Sequence, residues 1–192
     1  LLMLWPLGQA AYGFWSQRAL HADWEKAAAQ VRATPSAPST SSASAARPRR
    51  QKAEPKVAEW PATRLIIPEI GVDTVVLQGW SDDVLRRAPG HAPSTAPPGT
   101  GNCVIAAHRN VYGAWFRRLD ALLPGSLIQL KTPHETITYR VAFTYNISDT
   151  DTTVLQQPAA NEPARLTLLT CTLPHTSARL VTMAMREEPR DF

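Results

Sequence analysis

Several features of other protein classes are missing from this sequence. Only two cysteines occur among 192 residues, which excludes a scaffold of many disulfides and leaves at most one bridge. No cluster of metal ligands and no glycine-rich phosphate loop is visible, so we expect neither a metal nor a cofactor. No aromatic residues interleave with the basic patch at residues 47–52. We interpret that patch as part of a solvated linker and expect no nucleic-acid partner.

Charged residues are absent from the first seventeen positions, and Arg18 ends this run. Seventeen helical residues would span roughly 25 Å, slightly short of the roughly 30 Å core of a bilayer. Residues 15–33 contain neither Gly nor Pro and place Leu20, Trp24 and Ala28 on one helical stripe. Residues 1–33 are therefore predicted to form a truncated membrane anchor and a helical stalk, or a helix packed on the following domain. A buried or cleaved apolar leader is the alternative.

The composition changes after this helix. Residues 34–56 are rich in Pro, Ser and Ala and are predicted to be a flexible linker. Residues 57–192 hold many short apolar runs separated by turn signals, which favours a mainly β domain built as a small barrel. Residues 88–102 are predicted to be an irregular loop and residues 111–122 a short amphipathic helix. The predicted strands are residues 64–67, 74–77, 103–107, 127–130, 136–143, 145–147, 165–171 and 179–185.

The last two predicted strands carry the first candidate functional residues. One strand ends on Cys171, and the next begins with Arg179 after a polar loop. A thiol at the end of one strand and a guanidinium at the start of the next can share the edge of a cleft. This pairing suits a nucleophile beside a fixed cation that stabilises negative charge.

A cysteine nucleophile also needs a proton acceptor, and the chain has five histidines. His108 is the strongest candidate because it follows the apolar strand at residues 103–107 and precedes a loop. His175, which comes shortly after Cys171, is its rival. Of the remaining three, His91 is interpreted as structural and His134 as solvated, and His21 lies outside the domain.

Several motifs of the domain, taken in order, resemble those of the sortase family. They are TRLIIPEIGVDTVVLQG at residues 63–79, APGHAP at 88–93, GNCVIAAHR at 101–109, WFRRLDALLPGSLIQL at 115–130, and TLLTC at 167–171 followed by Arg179. The resemblance covers residues 60–185. GQAA at residues 8–11 and the proline-rich entry to the domain resemble the proteobacterial subgroup. The chain departs from the family pattern at Ala107, Asn110 and Leu173, which leaves substrate specificity open.

The resemblance implies a closed sortase-type barrel of about eight strands with a few short helices, spanning residues 57–192. It also implies a transpeptidase in which Cys171 attacks a carbonyl within a C-terminal sorting motif of a secreted protein and forms a thioester. His108 would protonate the leaving amine and help to deprotonate an incoming amine acceptor. Arg179 would hold the oxyanion and position the peptide, and Thr170 would line the same site.

The same resemblance gives an expected location and an expected state for the thiols. The protein is expected to be a single-pass protein of the cytoplasmic (inner) membrane, tethered by its N-terminal helix, with its catalytic domain on the periplasmic side. The family fold places the strand of Cys103 parallel to that of Cys171, with His108 near Cys171. Cys103 would then lie roughly 16 Å from Cys171, too far for a disulfide.

Two other classes of protein are alternatives. A papain-like peptidase would place its cysteine before its histidine, and an L,D-transpeptidase would carry a Ser-x-Gly element just before the cysteine. The candidate pair His108 and Cys171 has the opposite order, and residues 167–170 lack the Ser-x-Gly element. The non-enzymatic alternative is a membrane-tethered β-barrel binding module in which Cys171 only packs. The sequence leaves open whether hydrolysis or transpeptidation dominates.

Overall fold

Alternating apolar residues after position 60 build eight strands that close into one barrel. The computed structural model describes residues 5–33, 60–172 and 177–188. Around the barrel the strands follow the order β1-β2-β3-β4-β7-β8-β6-β5. The predicted mainly β class and closed barrel are confirmed. The strands are β1 (Thr63–Ile67), β2 (Val72–Gln78), β3 (Gly90–His91), β4 (Asn102–Ala106), β5 (Leu127–Lys131), β6 (Thr136–Ser148), β7 (Arg165–Cys171) and β8 (Ala178–Arg186).

Helical structure within the described residues is limited to a few elements outside the barrel wall. The long helix α1 spans Trp5–Ala33, and the single turn α2 spans Asp82–Leu85. One-turn 3-10 helices occur at Pro68–Ile70, Leu119–Ala121 and Thr153–Leu155. These short elements lie in the connections between successive strands.

The parallel pair of β4 and β7 brings distant segments of the chain together. Its register runs from Asn102 opposite Arg165 to Ala106 opposite Leu169. Parallel strands need a long crossover connection, and this crossover contains β5 and β6. On the other edge of β7, β8 runs antiparallel. The ends of β4 and β7 and the start of β8 therefore meet at one rim of the barrel.

Large apolar side chains fill the barrel interior. Tyr139 and Phe116 are the bulkiest of the fully buried side chains. The Tyr139 hydroxyl accepts a hydrogen bond from the backbone N–H of Gly99 at 2.8 Å, which satisfies its buried polar end. The interior is therefore packed with side chains.

Helix α1 packs on the outside of the barrel against β2. Trp24 and Ala28 are buried against Val75, with Leu20 beside them. The Gln17 side chain accepts a hydrogen bond from the Val75 N–H at 2.9 Å and donates one to the Val75 carbonyl at 3.3 Å. The predicted stripe is thus the packed face of the helix.

No helix within the described residues is long and apolar enough to cross a membrane. The predicted linker at residues 34–56 and the predicted first residue of the domain lie outside the described residues. The division of the chain into anchor, linker and domain stays a prediction.

The predicted amphipathic helix at residues 111–122 is wrong. The segment forms turns and ends in a single turn of 3-10 helix, with Tyr112 and Ala114 at positive φ. Positive φ at residues with a Cβ is incompatible with a right-handed helix. Phe116 and Leu119 are buried although the segment is built of turns. Their burial accounts for the apolar spacing that suggested a helix.

Two smaller differences concern strands. The predicted loop at residues 88–102 contains the two-residue strand β3, which pairs with both β2 and β4. The two strands predicted between residues 136 and 147 form one continuous strand, β6, with a register shift between Val141 and Phe143. An irregularity of this kind changes which side chains face inward, which explains the break in the alternating pattern.

Asn102 at the start of β4 ties the crossover to the barrel. Its side-chain N–H groups donate to the carbonyls of Val154 at 2.7 Å and Gln156 at 3.0 Å. Its side-chain oxygen accepts a hydrogen bond from Thr167 of β7 at 2.8 Å. Asn102 and Thr167 are both fully buried, so each depends on these bonds for its polar atoms.

Asn102→Ala should therefore lower the free energy of unfolding by about 2–3 kcal/mol, because it leaves buried carbonyls and a hydroxyl without partners. Urea denaturation followed by circular dichroism measures this change. Asn146→Ala on the exposed part of β6 is the matched control and should change stability by less than about 0.5 kcal/mol. Equal effects of the two substitutions would contradict this role of Asn102.

Candidate active site

The register of β7 with β8 places the predicted nucleophile beside the predicted cation. Cys171 and Arg179 are directly opposite each other in this antiparallel pair. Side chains of opposed residues project to the same face, with Cβ atoms about 4.5–5.5 Å apart. Cys171 is exposed, and Arg179 is half-buried. Among the described residues, no carboxylate lies within ion-pair distance of Arg179. Its guanidinium donates to the Ala178 carbonyl at 3.5 Å.

His108 reaches the same rim through the parallel pair. The register of β4 with β7 ends with Ala106 opposite Leu169, and the Ala107 N–H extends it by donating to the Leu169 carbonyl at 3.1 Å. Continued by one more residue, this register would bring His108 level with Cys171. The main chain at His108 therefore lies at the rim that holds Cys171 and Arg179.

Thr170 holds the main chain that precedes His108. Its hydroxyl donates to the Ala107 carbonyl at 2.8 Å, and its side chain is only 3% exposed. Since successive side chains of a strand point to opposite faces, Thr170 faces away from the surface that Cys171 occupies. Through this hydrogen bond, Thr170 fixes the main chain next to His108. Its predicted contact with substrate stays a prediction.

The imidazole of His108 lies in a partly desolvated environment. The Tyr112 ring packs beside it, with ring centroids 5.4 Å apart and planes inclined by 44°. Burial lowers the pKa of His108, the charge of Asp82 opposes this effect, and the charge of Arg86 adds to it. A lowered pKa favours the neutral imidazole near neutral pH, which is the form that accepts a proton.

Arg109 is a residue that the sequence reasoning did not single out for the site. Its guanidinium donates to the Cys171 carbonyl at 3.4 Å and pairs with the Asp120 carboxylate at 2.9 Å. Arg109 thereby joins the segment after His108 to the end of β7. Its place directly after His108 in the IAAHR motif was the only available signal.

The other candidate residues lie apart from this rim. His91 is 3% exposed, its ring stacks on Trp60 at 4.0 Å, and its Nε2 lies 3.0 Å from the Ala96 carbonyl oxygen. His134 is exposed in a turn, and His21 is on α1. His175 lies outside the described residues. No group of three or more potential metal ligands is assembled among the residues that the structure describes.

The two thiols have opposite environments. Both cysteines are free, with Cys103 buried and Cys171 exposed. Cys103 pairs with Leu166, five positions before Cys171 along β7, and burial raises the pKa of the Cys103 thiol. A thiol with a raised pKa in an apolar interior is unreactive. Of the two, Cys171 is therefore the candidate nucleophile.

The barrel domain matches a known family. Residues 65–187 match the family model described as the sortase domain. This match spans more than half of the chain, so the chain belongs to the sortase family, a family of cysteine transpeptidases.

Solved structures agree with this assignment. The chain is 32% identical to the sortase D5 transpeptidase of Clostridium perfringens, with a TM-score of 0.61 over 67% of this chain and 79% of that one. It is 28% identical to sortase A of Corynebacterium diphtheriae, with a TM-score of 0.61 over 68% of this chain and 63% of that one. For sortase A of Listeria monocytogenes the identity is 26% and the TM-score 0.60, over 68% of this chain and 89% of that one. A comparison with curated proteins gave no match.

The difference between the thiols predicts two well-separated labelling rates. A methanethiosulfonate reagent should modify Cys171 at least about a hundredfold faster than Cys103, because Cys103 is reached only when the barrel opens. Intact-mass spectrometry over time measures both rates. Cys171→Ala should remove the fast phase, and Cys103→Ala should leave it unchanged. A fast phase that survives in Cys171→Ala would show that the environments are assigned the wrong way round.

Proposed function

We propose that the protein is a sortase-type transpeptidase that cleaves a C-terminal sorting motif of a secreted protein and transfers it to an amine acceptor. The observation that supports this proposal most is the register that places Cys171 opposite Arg179, at the rim toward which the chain runs from β4 to His108. This arrangement supplies a nucleophile, a base and a fixed positive charge within one site.

In the first half of the proposed reaction, the neutral imidazole of His108 takes the proton of the Cys171 thiol. The resulting thiolate attacks the scissile carbonyl, and Arg179 stabilises the negative charge that develops on the carbonyl oxygen. The imidazolium of His108 then gives its proton to the leaving amine. The C–N bond breaks, and a thioester remains on Cys171.

In the second half, the acceptor amine attacks the thioester carbonyl. His108 takes a proton from the amine, Arg179 again faces the oxyanion, and the C–S bond breaks as the thiolate leaves. The thiolate recovers its proton from His108, so the site returns to its starting state. Water in place of the amine would give hydrolysis by the same steps.

Substrates that are secreted proteins place the proposed reaction outside the cytoplasm. A location at the inner membrane with a periplasmic catalytic domain, tethered by the N-terminal helix, is proposed from the resemblance of residues 8–11 and of the proline-rich segment to the proteobacterial subgroup. Fractionation of a periplasm-containing host, with protease accessibility of the domain, measures this location directly.

The proposed activity predicts a covalent intermediate that depends on the named residues. Incubation with a library of sorting-motif peptides should give a peptidyl adduct on Cys171, and a primary amine should convert it to a ligated product. Intact-mass spectrometry detects both. Cys171→Ala should abolish the adduct, and His108→Ala and Arg179→Ala should each lower kcat/KM by at least about a hundredfold.

The chain offers matched controls for these substitutions. His134→Ala removes an exposed histidine, and Lys131→Ala removes a cation of β5; both should leave kcat/KM within about twofold of the original. An adduct that forms but is only hydrolysed would contradict transfer to an amine while retaining the nucleophile. No adduct from any peptide, with an inert Cys171 thiol, would support the binding-module alternative.

A further inference from the structure

The loop after His108 is held in an unusual backbone conformation. Tyr112 has φ of 49° and Ala114 has φ of 46°, with Gly113 between them at 93°. Positive φ is uncommon for residues with a Cβ and costs of order 1 kcal/mol or more at each. Such strain persists only where surrounding contacts hold it. The contacts around Tyr112 are therefore the candidates for what holds this backbone conformation.

Three of these contacts involve Tyr112 or its neighbour. The Tyr112 ring packs beside the His108 imidazole, and the Arg86 guanidinium carbon lies 5.8 Å from the centroid of the same ring. The backbone of the loop lies against Gly13 of α1. A Cβ at Gly13 would come within 2.9 Å of both the Gly113 nitrogen and the Tyr112 carbonyl carbon, closer than ordinary van der Waals contact.

Helix α1 is also bonded to the segment that carries Arg86. The Ser16 hydroxyl donates to the Arg87 carbonyl at 2.8 Å, and the Gln17 side chain donates to the same carbonyl at 3.4 Å. The helix therefore touches both segments that contact or act on the His108 side chain. These bonds are additional to those that Gln17 makes with Val75 of β2.

The loop also has space on one side. A cavity of about 400 Å³ lies between α1 and the barrel and is lined in part by Gly13, Gly113 and Trp115. A side chain added at Gly13 would meet the backbone of residues 112 and 113 directly. The contact is therefore open to a test by mutation.

We propose that Tyr112 is a positioning residue that holds the imidazole of His108 toward Cys171, and that helix α1 fixes Tyr112 by packing Gly13 against the loop. The inference rests on the proposed role of His108. The Tyr112 ring limits the space in which the imidazole can turn, and the close approach of α1 keeps the strained loop from relaxing. A misplaced base of this kind costs about ten- to a hundredfold in rate.

The ring of Tyr112 also helps to exclude water from the imidazole. Among the described residues, the charges that act on His108 are those of Asp82 and Arg86 from the α2 segment, and the Tyr112 ring packs beside it from the loop. Loss of the ring would hydrate the imidazole and release Arg86, and both changes would raise the pKa of His108 toward its ordinary value of about 6.5. This shift gives a readout that needs no substrate.

The experiment compares Tyr112→Ala, Tyr112→Phe, Gly13→Ala and Gly13→Val with Ala19→Val, which alters an exposed position of the same helix. Nuclear magnetic resonance titration of the His108 ring, assigned with His108→Gln, gives its pKa in each full-length variant. Peptide kinetics give kcat and KM. Tyr112→Ala and Gly13→Val should raise the pKa and lower kcat about ten- to a hundredfold, with KM nearly unchanged.

Tyr112→Phe should restore both readouts because it keeps the ring, and Ala19→Val should match the original protein. Gly13→Ala adds a single methyl group and should shift both readouts in the same direction. It therefore keeps the test available if Gly13→Val fails to fold. An unchanged titration and unchanged kcat in Tyr112→Ala would overturn the role of Tyr112, and unchanged values in both Gly13 variants would overturn the role of α1. If the original protein shows no peptide activity, the proposed function fails. The titration still tests whether Tyr112 and α1 act on the His108 imidazole.

Discussion

Five consecutive residue pairs join β4 to β7 in parallel, and this ladder fixes where His108 lies. Because β4 and β7 point the same way, the residue that leaves β4 emerges beside the end of β7, where Cys171 is located. Asn102 secures the opposite end of the same ladder through buried hydrogen bonds to Thr167 and to the crossover. A shift of one residue in this register would move His108 away from Cys171 and turn a buried strand face outward.

The antiparallel pairing of β7 with β8 adds the third group without any further long-range contact. Arg179, near the start of β8, lies directly opposite Cys171 at the end of β7. The site is therefore assembled at a rim where three strand ends meet, while the interior is closed by packed side chains such as Tyr139. This division explains how one barrel combines a rigid scaffold with an accessible thiol. Arg109 and Thr170 strengthen the junction by bonding the His108 segment to β7.

The sequence predicted the strands that carry Cys171 and Arg179 because alternation is a local signal and both strands are regular. It predicted that a buried apolar strand precedes His108, and β4 ends two residues before it. It missed the two-residue strand β3, which is too short to show periodicity. It also predicted a helix at residues 111–122, because the spacing of Phe116 and Leu119 fits a helix as well as it fits successive turns. The contacts of Arg109 and Tyr112 join segments far apart in sequence or depend on backbone strain, so no local pattern reports them.

The most direct test of the account is a crystal structure of the protein with a peptidyl aldehyde, built on its preferred sorting motif, bound as a hemithioacetal to Sγ of Cys171. We predict that the hemithioacetal oxygen lies within hydrogen-bond reach, about 3 Å, of the Arg179 guanidinium, and that the His108 imidazole faces Sγ from the side of β4. An adduct whose oxygen points away from Arg179, or a His108 ring turned away from Sγ, would contradict the claim that the strand register brings the proposed catalytic groups together.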